Sequence, residues 1–98
     1  MRQIAEALLA GRIGTILAAR ILLPFIHADD SLASMEDRNL IIGIDSETDD
    51  LPVGEVRAEW DPGVLAEKDR EIAKCESRWE ERMKQACERI LLQVQSIQ

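Results

Sequence analysis

The feature that most limits how this chain can fold is the stretch 62–98, which has no proline or glycine beyond its first two residues. Asp61 and Pro62 form a strong helix start, because aspartate caps a first turn and proline fits the first helical position. From Ile72 onward, apolar residues recur at steps of three or four, the spacing of one helix face. The predicted apolar track of the helix consists of Leu65, Ile72, Cys75, Trp79, Met83, Ala86, Cys87, Ile90, Leu91, Val94 and Ile97.

These signals predict one long C-terminal helix over residues 62–95. Such a helix is longer than a compact domain of 98 residues is wide. We therefore expect that its first or last turns project from the domain, or that it breaks near residues 68–72, where the apolar stripe is thinnest.

Residues 2–23 read as a helical hairpin. The first helix covers Arg2 to Ala10, and Gly11 fits its C-terminal cap because glycine reaches a left-handed conformation cheaply. The second runs from about Gly14 to Leu23, where the following proline is expected to stop it. Its predicted apolar face consists of Ile13, Ile16, Leu17, the stem of Arg20, Ile21 and Leu23. The alternative is one continuous helix that contains both glycines, at a cost of about 1 kcal/mol for each.

The segment between the hairpin and the long helix is the hardest to interpret. Residues 25–33 read as a loop, and Ser34 can cap a third helix that runs from about Met35 to Asp49. A short strand is the competing interpretation, because Leu40, Ile42 and Ile44 also alternate. Pro52 and Gly54 end either element, and residues 55–60 can add one further turn.

Composition favours a helical domain over a sandwich or barrel. Hydrophobic residues make up 46% of the chain, but the only aromatic residues are Phe25, Trp60 and Trp79, so the core must be mainly aliphatic. Ninety-eight residues suffice for one modest core. We therefore expect residues 1–98 to form a single all-α domain, a small bundle of four to five helices.

Charge is concentrated in the middle of the chain. Residues 27–61 hold eleven acids against Arg38 and Arg57, a net charge of −9, whereas the whole chain carries −7. A field of that sign repels nucleic acid and anionic membranes and attracts cationic partners. An acidic middle that merely keeps the protein soluble is the simpler alternative.

The acids closest together are the candidate partner-binding residues, with a tryptophan beside them. We call the six acids the acidic cluster. They are Asp45, Glu47, Asp49, Asp50, Glu55 and Glu59, followed by Trp60. The cluster does not fit a calcium loop of the EF-hand type, because Asp50 stands where that loop requires glycine. We expect no metal and no cofactor.

Signals for catalysis or export are weak. His27, the only histidine, lies among acids in a predicted loop, and no nucleophile, phosphate-loop or zinc-ligand pattern accompanies it. Cys75 and Cys87 are too far apart on one helix to form a disulfide, which fits a reducing cytoplasm. Arg12 and Arg20 interrupt the apolar N-terminal region, so neither a membrane span nor a signal peptide is expected. We therefore expect a cytoplasmic protein that is not an enzyme.

Residues 43–91 resemble a set of small uncharacterised bacterial proteins. The shared pattern is a D-S-E-T-D-x-L-P-x-G-E-V-R core followed by a tryptophan, a helix-opening S/D-P pair and an A-C-R/E-x-x-L end. A G-R-I turn at residues 11–13 matches weakly, and residues 22–39 depart from the pattern. Small acidic helical proteins of this kind look like the immunity proteins that neutralise nuclease toxins, such as those of contact-dependent growth inhibition.

The resemblance and the charge together imply an immunity-type inhibitor that binds a cationic toxin domain, with a nuclease as the expected partner. The alternative is a helical adaptor or homodimerisation module that pairs through the apolar seam of residues 62–98. Neither reading requires direct contact with nucleic acid or membrane.

Overall fold

The computed structural model describes the backbone of residues 1–97 and the side chains of residues 1–94. This part of the chain is helical and contains no strand, which confirms the all-α class and excludes the strand alternative. Its elements, in order, are α1 (Arg2–Leu9), α2 (Thr15–Ala28), a 3-10 helix (Asp30–Leu32), α3 (Met35–Glu47), a second 3-10 helix (Gly54–Glu59) and α4 (Pro62–Ile97). The side chain of Ile97, assigned above to the apolar face of the last helix, lies outside the described residues.

The long helix α4 forms the spine of the molecule. It is continuous, so the break considered near residues 68–72 does not occur. Because the helix is so long, the molecule is elongated and measures 46 × 23 × 21 Å. Its second half supplies core residues that are fully buried, namely Met83, Ala86, Cys87 and Ile90. The residues of the predicted apolar track in its first half are only half-buried, namely Leu65, Ile72, Cys75 and Trp79. The two halves of one continuous helix therefore differ in how firmly the bundle holds them.

The turn between α1 and α2 confirms the hairpin and excludes one continuous helix. Gly11 has a φ of +76°, in the left-handed region that favours glycine. Its amide donates to the carbonyl of Leu8 over 3.0 Å, and the amide of Arg12 donates to the carbonyl of Ala7 over 2.8 Å. These two bonds form a Schellman motif, which satisfies the last carbonyls of α1 and reverses the chain.

The prediction that the second helix ends at Leu23 is wrong, because α2 continues through Pro24 to Ala28. A proline inside a helix removes one hydrogen bond and costs about 3 kcal/mol. Pro24 lies on the exposed side, and the added turn buries Ile26 completely, a gain of about 1.5–3 kcal/mol. Burial of the next apolar residue thus offsets much of the cost of the proline, and the predicted loop at residues 25–33 shrinks to residues 29–34.

The apolar face predicted for α2 is also partly wrong. The buried residues are Thr15, Ile16, Ala18, Ala19, Leu22 and Ile26. Leu17, Ile21 and Leu23 are only half-buried. Because α2 packs against α1, α3 and α4, it buries a broad face, and its small alanines let the neighbouring backbones approach. A single stripe of large residues does not describe a helix in that position.

Two predicted caps are present. The Ser34 hydroxyl accepts a hydrogen bond from the Asp37 amide at 3.1 Å and begins α3. The Asp61 carboxylate accepts from the amides of Gly63 and Val64 at 2.8 and 3.3 Å and begins α4. Helix α3 ends at Glu47, two residues before the predicted Asp49.

Polar contacts show how the helices are directed. Arg89 of α4 binds Asp37 at the start of α3, and Arg78 of α4 lies near Glu47 at its end, so α3 runs antiparallel to α4. Glu76 of α4 binds the first amides of α2, whereas the segment that follows α2 lies beside residues 89–93. Helix α2 therefore runs parallel to α4. This arrangement places the start of α2, the end of α3 and the segment 48–61 at one end of the bundle, along the first half of α4.

Candidate functional site

The structure places the acidic cluster at the loop end of the bundle. Asp45 and Glu47 lie in the last turn of α3, Asp49 and Asp50 in the turn after it, and Glu55 and Glu59 on the second 3-10 helix. Asp45 is half-buried and the other five are exposed.

Half of the cluster is compensated within the molecule. Asp45 lies 3.9 Å from Arg20 of α2, Glu47 lies 3.8 Å from Arg78 of α4, and Asp50 lies 3.6 Å from Lys68 of α4. We call these three the paired acids. Ion pairs of this length at a surface contribute about 0–1 kcal/mol each.

Among the described residues, Asp49, Glu55 and Glu59 have no basic partner. We call these three the unpaired acids. They follow one another along the turn after α3 and the 3-10 helix. The negative charge that remains available to a partner is therefore carried by fewer residues than the sequence suggested. It lies on residues 49–59 rather than on the end of α3.

Buried residues fix the start of this segment. Thr48 is fully buried, and its hydroxyl donates to the carbonyl of Ile44 over 2.5 Å. Arg20 donates to the carbonyl of Thr48, which places a positive charge at the negative end of α3. Leu51 and Pro52, which follow the exposed Asp49 and Asp50, are buried again.

Arg57 fixes the other part of the segment. Its guanidinium donates to both carboxylate oxygens of Asp69 on α4, at 2.7 and 3.0 Å, and to the carbonyl of Pro52 at 3.1 Å. These hydrogen bonds hold the pKa of Asp69 below its usual value, against a smaller opposing effect of burial. Arg57 is therefore engaged with α4 and does not neutralise the acidic cluster.

Two apolar side chains border the unpaired acids. Val56 is 43% exposed on the 3-10 helix, and Trp60 follows that helix in a half-buried position. The Trp60 amide donates to the carbonyl of Arg57 over 3.1 Å. Val56 is thus the more accessible apolar residue of the site, and it was absent from the sequence-based selection.

A carboxylate outside the cluster has a structural role that the sequence did not reveal. Glu76 of α4 accepts hydrogen bonds from the amides of Thr15 and Ile16 at 2.5 and 3.4 Å and so caps α2 from another helix. A Cβ atom on Gly14 would lie 2.6 Å from the nearer Glu76 oxygen. Glycine at this position therefore leaves room for the cap.

Asp37 is a second carboxylate with a structural role that the sequence did not reveal. Besides following the Ser34 cap, it is 2% exposed and accepts two hydrogen bonds from Arg89, at 2.9 and 2.7 Å. The hydrogen bonds from Arg89 lower the pKa of Asp37, although burial acts in the opposite direction. A helical pattern alone could not pair residues 52 positions apart, which is why this contact was missed.

Both cysteines are free, Cys87 buried and Cys75 half-buried. Burial, with a further contribution from the charge of Asp37, raises the pKa of Cys87 to about 12. Burial and the nearby carboxylate of Glu47 raise the pKa of Cys75. Raised values disfavour the reactive thiolate, which agrees with packing roles.

Within residues 1–94, no group of three or more His, Cys, Asp or Glu side chains is placed to hold a metal ion. None of the helices described is long and apolar enough to cross a membrane. No protein-family model matches the chain, and no curated protein and no solved structure matches it either.

Proposed function

We propose that this protein is a non-enzymatic, immunity-type inhibitor that binds a basic toxin domain, with a nuclease as the expected partner. The observation that carries the proposal is the set of unpaired acids. Asp49, Glu55 and Glu59 are exposed and have no basic partner among the described side chains, on a segment that buried Leu51 and the Arg57–Asp69 pair hold in place.

The mechanism would be charge mimicry. The unpaired acids would meet lysine and arginine side chains that otherwise bind the phosphates of the toxin's substrate. Opposite charges steer two proteins together and raise association rates by about 10–10³-fold. Val56, exposed beside the acids, would add apolar contact at the centre of the interface.

The paired acids would contribute less to such an interface. Asp45, Glu47 and Asp50 each lie near a cation of the same chain, which reduces the local negative potential. A partner cation would have to compete with that internal cation. We therefore expect the unpaired acids to contribute more to binding than the paired acids.

The test is to co-express the chain with the product of the adjacent gene and to isolate any complex. We expect a stable complex with a protein that carries a basic domain, and protection of cells in which that domain is expressed alone. If the chain is recovered without a basic partner and does not protect such cells, the proposal is wrong.

A further inference from the structure

The exposed side of α4 carries four basic residues at intervals of four positions. Arg70, Lys74, Arg78 and Arg82 are all exposed, and this spacing places each near the next on one helix face. We call these four the basic row. Residues 62–98 hold seven acids and seven bases, so the net charge of this stretch does not reveal the row.

Most of the basic row is not neutralised within the molecule. Arg78 lies 3.8 Å from Glu47, and the guanidiniums of Arg78 and Arg82 lie 5.7 and 5.1 Å from the centre of the Trp79 ring. Among the described residues, Arg70, Lys74 and Arg82 have no carboxylate partner. A chain with a net charge of −7 thus keeps three cations uncompensated on one helix face.

The basic row borders the acidic cluster. Asp50 lies 3.6 Å from Lys68, Arg57 binds Asp69 one residue before the row begins, and Glu47 lies beside Arg78 within it. The segment that carries the unpaired acids therefore lies along the same part of α4 as the basic row, so that a negative strip runs beside a positive one. A twofold axis that runs along the boundary between the two strips brings each strip opposite the unlike strip of a second copy.

We propose that two copies of this chain associate through this side, with the basic row of each copy facing the unpaired acids of the other. The proposed dimer differs from the pairing through the apolar seam considered above, because the second half of that seam is buried within one chain. Charges on an exposed rim give weak, salt-dependent association. A cationic partner and a second copy compete for the same acids.

Charge complementarity favours a second copy over nucleic acid as the occupant of the basic row. Three cations are few for a phosphate backbone, and the acids that border them repel it. The same acids are the groups that a second copy needs.

The first measurement is the mass of the wild-type chain in solution at low and at high ionic strength, by light scattering at high protein concentration. We expect a mass approaching twice 11.0 kDa at low salt, and the monomer mass at about 1 M salt, where charges are screened beyond about 3 Å. A monomer at low salt would overturn the proposal, as would binding of a DNA oligonucleotide in place of self-association.

The second measurement uses charge reversal. The pair Arg70→Glu with Lys74→Glu, and the pair Glu55→Lys with Glu59→Lys, should each give monomers at low salt. An equimolar mixture of the two double variants should recover the dimer, because both contacts of the twofold interface again join unlike charges. Circular dichroism of each variant establishes that it is folded.

A matched control reverses two cations away from the basic row, Arg2→Glu with Arg12→Glu, and should dimerise like the wild type. A mixture that stays monomeric, or a control that dissociates equally, would overturn the proposal. Reversal of Arg70 and Lys74 leaves the unpaired acids intact, so binding to a basic partner should persist. The two proposals can therefore fail separately.

Discussion

Asp37 is almost inaccessible to solvent, and its carboxylate is held by two hydrogen bonds from Arg89, whose own side chain is half-exposed. A buried carboxylate left without its cation is costly, so this contact joins α3 to α4 more firmly than a surface ion pair would. The lowered pKa of Asp37 means that the folded state binds its proton less readily than the unfolded state. Its stabilising effect is therefore present above about pH 3.9, the ordinary aspartate value, and is lost as the pH falls through the lower folded value.

The first prediction concerns Arg89→Met. We expect a loss of about 2 kcal/mol in the free energy of unfolding at neutral pH, because the Asp37 carboxylate stays buried without its partner. Without Arg89, burial outweighs the smaller opposing effect of Ser34 and raises the pKa of Asp37. Protonation then relieves the cost, and the difference from wild type shrinks as the pH falls toward 4. Urea unfolding at several pH values measures the difference in the free energy of unfolding, with Arg70→Met as the exposed control. A difference that does not change with pH would contradict this account of Asp37.

The second prediction concerns Gly14 and Glu76. Gly14→Ala should cost about 1 kcal/mol, the usual value of a lost cap, because the new Cβ displaces the Glu76 carboxylate from the start of α2. In a Glu76→Ala background the cap is already absent, so the same change should cost little or become stabilising.

The control for the second prediction is Gly43→Ala within α3, where a Cβ would meet nothing within 4 Å. This change should stabilise the protein by about 0.8–1 kcal/mol through helix propensity alone. Equal effects of Gly14→Ala in the two Glu76 backgrounds would show that the glycine is not needed for the cap.

At the scale of elements, α4 combines two environments in one helix. The turns around Met83, Cys87 and Ile90 are enclosed by the core, whereas the turns around Leu65 and Ile72 are half-exposed. Polar contacts such as Arg57–Asp69 and Lys68–Asp50 join the first half to the segment 48–61. Local opening follows such differences, because few buried contacts oppose it.

The third prediction is a gradient of amide hydrogen exchange along α4. Amides of residues 66–74 should exchange faster than those of residues 83–90, and Asp69→Asn should raise exchange at residues 66–74 and at the Trp60 amide without affecting residues 83–90. Glu67→Gln removes the same charge from the same helix without breaking an ion pair and serves as control. Uniform protection along α4 would refute the two-part description.

Elements with strong local signals could be predicted from the sequence. The Asp61-Pro62 start, the Ser34 cap and the glycine turn after α1 are each encoded within a few residues, and each is present. Pro24 led to the wrong end for α2, because the local cost of a proline is offset by burial of Ile26. That burial depends on tertiary packing and cannot be read from the neighbouring sequence. The contacts of Glu76 with α2 and of Arg89 with Asp37 join residues more than 50 positions apart, and no periodicity specifies them.

In the candidate site too, local features could be predicted from the sequence and contacts between distant residues could not. The sequence located the acids, because charge density can be counted along a chain. It could not show that Asp45, Glu47 and Asp50 lie near Arg20, Arg78 and Lys68, because those contacts arise only when α2, α3 and α4 pack. Nor could it distinguish Val56, which is exposed, from Val53, which is half-buried three residues earlier.

At the scale of the whole molecule, ionic contacts do two different things. At helix ends they fasten the bundle, as Glu76 does at α2, Arg20 at α3 and Arg89 at Asp37. Along one side, the unpaired acids and most of the basic row have no ion-pair partner within the described part of the chain. The net charge of −7 is therefore a poor description of the surface, because what a partner meets depends on which charges remain without internal partners.

The most direct test of the proposed inhibitor compares two triple variants with the same change in net charge. One replaces the unpaired acids (Asp49→Asn, Glu55→Gln, Glu59→Gln), and the other replaces the paired acids (Asp45→Asn, Glu47→Gln, Asp50→Asn). The measurement is the rate of association with the basic partner at low salt. The account predicts a decrease of about tenfold or more for the first variant and a much smaller one for the second. Equal decreases would show that net charge alone governs binding, and would contradict the claim that the unpaired acids form the binding surface.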